Sequence, residues 1–286
     1  MSTQAMTQSN QTQVLDRIPL LQVRAQSMPV ILTFFVIAFA WAWGLGFAAM
    51  QAKAFSGALA TILLMAAGFG PSLAGFAVVA FFSRGWGLRE WLARCLNWRI
   101  GWRWYALVLL GPPAMMVCAI ALHAALGGAL PALPAAEKIP IVIANFGLVL
   151  LIGGPLGEEF GWRGYAMSAL TARSNWRTAS LIVGAAWGLW HLPLFFMAGT
   201  AQSQMPIALF MINIIASSVV FGWLFEHTKR SVLPAIVLHT SLNASAGILL
   251  LPLGGDAYAL VTALIVVIAL ELFVRPRRQS SRSYGP

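Results

Sequence analysis

Long apolar runs dominate this chain and leave few folds open to it. A helix rising 1.5 Å per residue needs about 20 apolar residues to cross the hydrocarbon of a bilayer, and about eight segments qualify. They cover 30–50, 58–82, 105–126, 139–157, 179–197, 207–225, 232–251 and 257–274. In lipid every backbone polar group must be satisfied within the protein, so helices this apolar pack as a bundle. The predicted fold class is all-α, a polytopic membrane helical bundle. Composition agrees: 59% of the 286 residues are hydrophobic and 9% are charged, against roughly a quarter charged in soluble domains. Disordered, nucleic-acid-binding and disulfide-framework classes are thereby excluded, and Cys95 and Cys118 stand in unrelated settings.

The predicted domain organisation is a polar tail at 1–28, one transmembrane domain at 29–274 and a basic tail at 275–286. The first segment is rich in Gln, Ser and Thr and has no short apolar core with a cleavage site, which predicts a disordered tail rather than a signal peptide. Segment 85–94 alternates Trp and Leu with Arg and predicts an interfacial helix, its apolar side chains facing lipid. The fourth span either continues as one long helix to about residue 172 or kinks at Gly153-Gly154-Pro155.

Net charge is +10. With both termini cytoplasmic, every Lys and Arg except Lys53, Lys138 and Arg163 falls on the cytoplasmic side. The excess therefore follows the positive-inside rule, and no nucleic-acid partner is needed to explain it. Arginine greatly outnumbers lysine, which fits a GC-rich bacterial genome and a bacterial plasma membrane.

Ionisable residues inside spans cost roughly 2.5–3.5 kcal/mol each on insertion scales and so mark function. Here they cluster in the second half of the chain: Glu158, Glu159 and Arg163 after the fourth span, His191 in the fifth, His239 and Asn243 in the seventh. Glu159 and Arg163 are four apart and stack on one helix face, as do His239 and Asn243. Glu158 is turned about 100° from Glu159 and faces elsewhere. Counted from the cytoplasmic ends of their spans, His239 lies roughly 10 Å deep and His191 roughly 19 Å deep. Two imidazoles, a carboxylate and a carboxamide can thus meet in one wet pocket, a set that either binds a catalytic divalent metal or activates water directly. Asn145, Asn213, Ser217 and Ser218 are expected to make interhelical hydrogen bonds, and Glu271 to pair with the final arginines. His123 and His227 are expected at the membrane interfaces.

Across 139–250 the chain resembles the CPBP family, which groups CAAX prenyl endopeptidases with bacterial bacteriocin-processing and self-immunity membrane proteins. Glu158, Glu159 and Arg163 are similar to its first motif. Trp187 and His191 are similar to its second, where the family usually has phenylalanine in place of Trp187. His239 and Asn243 are similar to its third. The resemblance implies an intramembrane endopeptidase acting on a peptide or protein near the cytoplasmic membrane face. It implies Glu158 as general base, His191 holding the water or a metal, and His239 and Asn243 binding metal or stabilising the oxyanion. Glu159 with Arg163 supports the helix that presents Glu158, and Trp187 forms an aromatic wall. Zn2+ or another divalent ion held by Glu158, His191 and His239 is one arrangement. In that arrangement Glu158 cannot easily be both ligand and base, which would leave Glu159 one of the roles. A metal-free site with Glu158 as base is the other. The rival functions are a proton-coupled transporter, which polar residues gathered in one place and no inverted repeat argue against, and a non-catalytic immunity or scaffold protein.

Overall fold

Proline, glycine and capping side chains decide where the apolar runs break into helices. In this computed structural model, which describes residues 26–83, 87–130, 139–152, 154–249 and 255–275, α1 (Met28–Ala52) begins with a proline in its first turn. The second run is not one rod: α2 (Gly57–Ala67) starts under the Ser56 side chain and α3 (Gly70–Phe82) restarts at Pro71, with a 42° bend between them. Proline has no N–H to continue the preceding helix, and its ring crowds the turn before it. The interfacial segment forms α4 (Gly87–Cys95), followed by α5 (Trp102–Ala125).

The fourth run is interrupted. α6 (Ile139–Ile152) stops before Gly154, and α7 (Pro155–Glu159) restarts behind it and passes directly into a π-helix, π1 (Phe160–Met167), and α8 (Ser168–Thr171). Gly154 has φ +112°, open to glycine but costly for a side-chain-bearing residue. Of the two expectations for this stretch, the break at the Gly-Pro step is the one observed. The fifth run is shorter than expected. α9 (Trp176–Trp190), capped by the Asn175 side chain, ends at His191 because Pro193 prevents its continuation, and α10 (Leu192–Phe195) is a single turn. His191 therefore sits at a helix C-terminus rather than within a continuous span. α11 (Ile207–His227), α12 (Leu233–Leu249) and α13 (Gly255–Val274) complete the bundle.

Among the described residues, α1, α5, α11, α13 and the interrupted run from α6 to α8 are long and apolar enough to cross a membrane, five in all, or six if the bent α2–α3 pair counts as one span. α9 and α12 fall short of that length. Val36, Leu110, Ile143 and Val267 are more than 60% exposed, an outer surface suited to acyl chains rather than water. The chain is an all-α polytopic membrane bundle. The expected tails lie outside the described residues except for 26–28 and 275.

The core centres on π1, all of whose residues are buried. It packs against α3, α4, α9 and α11. Gly157 and Gly161 let this segment lie backbone to backbone on the α2–α3 joint: a Cβ at 157 would strike Gly68 O, and one at 161 would strike Pro71 O. Ser72 Oγ donates to Leu156 O at 2.8 Å across the same seam. One expectation is corrected here. Trp91 of α4 does not face lipid; it is fully buried, stacks edge-on against Phe76 and donates its indole N–H to Gly164 O at 3.0 Å. The tight packing around Gly164, where an added Cβ would lie 3.1 Å from Trp91, draws the indole inward. Asn213 bonds Thr262, Ser218 bonds Ser180 O, and Glu271 pairs with Arg275, as expected.

Candidate active site

Two adjacent glutamates leave the α7–π1 junction in different directions. Glu159, fully buried, accepts a hydrogen bond from Arg163 Nη1 at 2.9 Å. The same oxygen, Oε1, lies 2.8 Å from His239 Nδ1 on α12. Arg163 is covered by two rings, with its guanidinium carbon 4.4 Å from the Trp187 centroid and 4.0 Å from that of Phe221. A charge this deep is tolerable only with a partner and a polarisable cover, and it has both. Glu158, 4% exposed, instead accepts the Trp187 indole N–H on Oε2 at 2.5 Å.

Trp187 is the hub. Besides holding Glu158 and covering Arg163, its ring lies edge-on to His239 at 5.4 Å between centroids, and its carbonyl is 2.8 Å from His191 Nδ1. A carbonyl only accepts, so Nδ1 of His191 carries the proton, and in the neutral ring Nε2 is left as an acceptor. His191 is half-buried against Trp190 and Phe210 and stands within electrostatic reach of both Glu158 and His239.

The helices that carry these groups are pinned by side-chain hydrogen bonds to backbone carbonyls of neighbouring helices. Trp43 of α1 donates to Trp190 O at the end of α9 at 3.1 Å, and Trp190 donates to Ala38 O at 3.3 Å. Pro113 cannot bond the Leu109 carbonyl one turn earlier in α5, and Ser241, two residues past His239, donates to it at 2.8 Å.

The structure thus brings together Glu158, Glu159, Arg163, Trp187, His191 and His239. Asn243 lies one turn beyond His239 and is exposed; among the described residues it has no hydrogen bond to the cluster. Sequence reasoning missed the polar role of Trp187, the stacking of Phe221 on Arg163 and the π-helix. The indole nitrogen was the one available signal, since phenylalanine fills a wall without a donor.

The fit of a divalent ion can be tested on the donors. The indole takes Glu158 Oε2 and Glu159 takes His239 Nδ1, which leaves Glu158 Oε1 and Nε2 of both histidines as donors, so their grouping decides. Among the described residues no three His, Cys, Asp or Glu side chains are grouped so as to hold a metal ion. The Glu158, His191 and His239 set does not fit that role as arranged.

Carboxylates and imidazoles gathered in the interior of a helical membrane bundle are groups that hydrolysis within a membrane would use. Residues 140–245, which contain every site residue named above, match the family described as type II CAAX prenyl endopeptidase Rce1-like. "CAAX prenyl protease 2" of Methanococcus maripaludis is 24% identical over 211 residues, 69% of this chain and 75% of the relative. Both matches support the CPBP, or CAAX protease, family and liken the chain to CAAX-type intramembrane proteases.

Proposed function

We propose that the chain hydrolyses a peptide bond near the cytoplasmic face of a bacterial plasma membrane, with Glu158 activating the water. The convergence of Glu158, His191 and His239 on one buried residue, Trp187, supports this reading most directly: Glu158 on its indole N–H, His239 against its ring and His191 on its carbonyl. Glu158 removes a proton from water while the unprotonated His191 Nε2 orients it. The water oxygen bonds to the carbonyl carbon, the C–N bond breaks, and Glu158 returns the proton to the leaving nitrogen.

Glu159 gives His239 its part: it holds Nδ1 at 2.8 Å and so fixes the ring, whose opposite edge faces the reacting carbonyl and stabilises the developing oxyanion. Asn243, on the same face of α12, adds its amide once substrate covers it. The donor arrangement favours the metal-independent of the two mechanisms, and no step here passes through a metal.

The matched names point to a prenylated C-terminal tail as substrate. The test is mass spectrometry of products from paired peptides, identical but for a farnesyl group on cysteine, incubated with purified protein in detergent. Cleavage of the farnesylated peptide, lowered at least about 100-fold in Glu158→Gln and insensitive to chelators, is the expected result. Wild-type turnover in Glu158→Gln would remove Glu158 from the reaction. Loss of turnover on chelation would overturn the metal-independent mechanism alone.

A further inference from the structure

A general base works only if one of its oxygens is held still toward the water, and here each oxygen of Glu158 meets a different constraint. Oε2 accepts the Trp187 indole N–H at 2.5 Å. Oε1 lies against Gly154, where an added Cβ would stand 2.5 Å from it. We propose that Trp187 and Gly154 form a clamp on the Glu158 carboxylate, holding Oε2 by a hydrogen bond and leaving Oε1 as the atom that takes the proton from water. Both are positioning residues, and their catalytic meaning rests on the hydrolase reading above.

The indole is itself immobilised. It is 3% exposed, covered on its face by Arg163 and flanked by Phe221 at 5.7 Å and His239 at 5.4 Å between centroids. A cation over the ring draws electron density from it and strengthens the N–H as a donor, so Arg163 acts on Glu158 through the indole while it binds Glu159 directly. Gly154 contributes by what it lacks. At φ +112°, immediately before Pro155, it turns the chain into α7 and leaves its Cα open on the side where the carboxylate lies. Phenylalanine at 187 would keep the packing and lose the donor. Alanine at 154 would strain the turn and push Oε1 away.

The decisive measurement uses the full chain labelled with 15N-tryptophan in detergent micelles. Of the twelve indole resonances, the one missing in Trp187→Phe belongs to Trp187. It is expected downfield, as for a charge-assisted hydrogen bond, and to move upfield in Glu158→Gln. A Trp187 resonance unmoved by Glu158→Gln overturns the clamp. With the peptide the wild type cleaves, Trp187→Phe and Gly154→Ala are expected to lower kcat by about 10- to 100-fold with KM unchanged. Unchanged kcat in Trp187→Phe, or a fall explained entirely by KM, also overturns it. Should the wild type cleave no peptide, the hydrolase reading fails, while the resonance still decides whether the clamp exists.

Discussion

Arg163 spends its charge three ways, on the Glu159 carboxylate and on the faces of Trp187 and Phe221, and it is 1% exposed. Removing one partner of a buried pair strands the other, at a cost of about 3–5 kcal/mol. Arg163→Met is therefore expected to lower the thermal midpoint in detergent sharply. Adding Glu159→Gln should recover part of the loss, because no carboxylate is then left uncompensated. A cost for Arg163→Met that is the same with Glu or Gln at 159 would show that the guanidinium serves only to fill space. Lysine is no substitute, having neither the planar fork nor the stacking surface. The Glu159–Arg163 pairing was legible because four residues on a helix share a face. The third partner was not: His239 lies 80 residues from Glu159 in sequence, and spacing alone left its mate open.

Elements were legible where lipid imposes length and obscure where packing decides. The apolar runs behind α1, α5, α11 and α13 gave helices close to the expected bounds, because a bilayer asks for about 20 apolar residues whatever lies beside them. The breaks at Pro71, Gly154 and His191 needed proline and glycine chemistry read residue by residue, and only the second was anticipated. π1 had no signal of its own. A π-turn widens the helix to i→i+5 bonding and is rare enough that a tertiary surround must stabilise it, here Trp91 donating to Gly164 O and Ser168 Oγ donating to Arg163 O at 3.3 Å. The four-residue spacing of Gly157 and Gly161 did carry a signal, for close helix approach. A methyl group at 161 meets the Pro71 backbone, which cannot swing aside as a side chain can. Gly161→Ala is accordingly expected to cost about 1–3 kcal/mol by overpacking and to lower activity with it, since the shift is passed along π1 to Arg163. Alanine at Gly44, where an added Cβ meets nothing within 4 Å, should leave the melting midpoint in place. Equal midpoints for the two variants would count against the close seam.

At the scale of the whole molecule, the loops that charge assigns to one side of the membrane touch one another. Arg173 reaches Gln26 O, Arg177 reaches Phe273 O and Arg275 O, and Lys229 reaches Arg99 O. On the side assigned as external, Lys53 bonds Ala198 O. An odd number of crossings between these groups would have pulled such pairs apart. The contacts are consistent with the expected alternation of sides, and the excess of arginine predicts which side is cytoplasmic. Single cysteines can test that orientation. Cys118 is exposed and must be replaced first, whereas Cys95 can stay, because it is buried and burial pushes its thiol pKa well up, leaving little reactive thiolate. In intact cells a membrane-impermeant maleimide should label Ala54→Cys and spare Ala172→Cys, both exposed positions. Permeabilisation should make the second reactive. The reverse pattern would invert the topology and turn Arg173, Arg177 and the arginines beyond α13 outward, against the positive-inside bias.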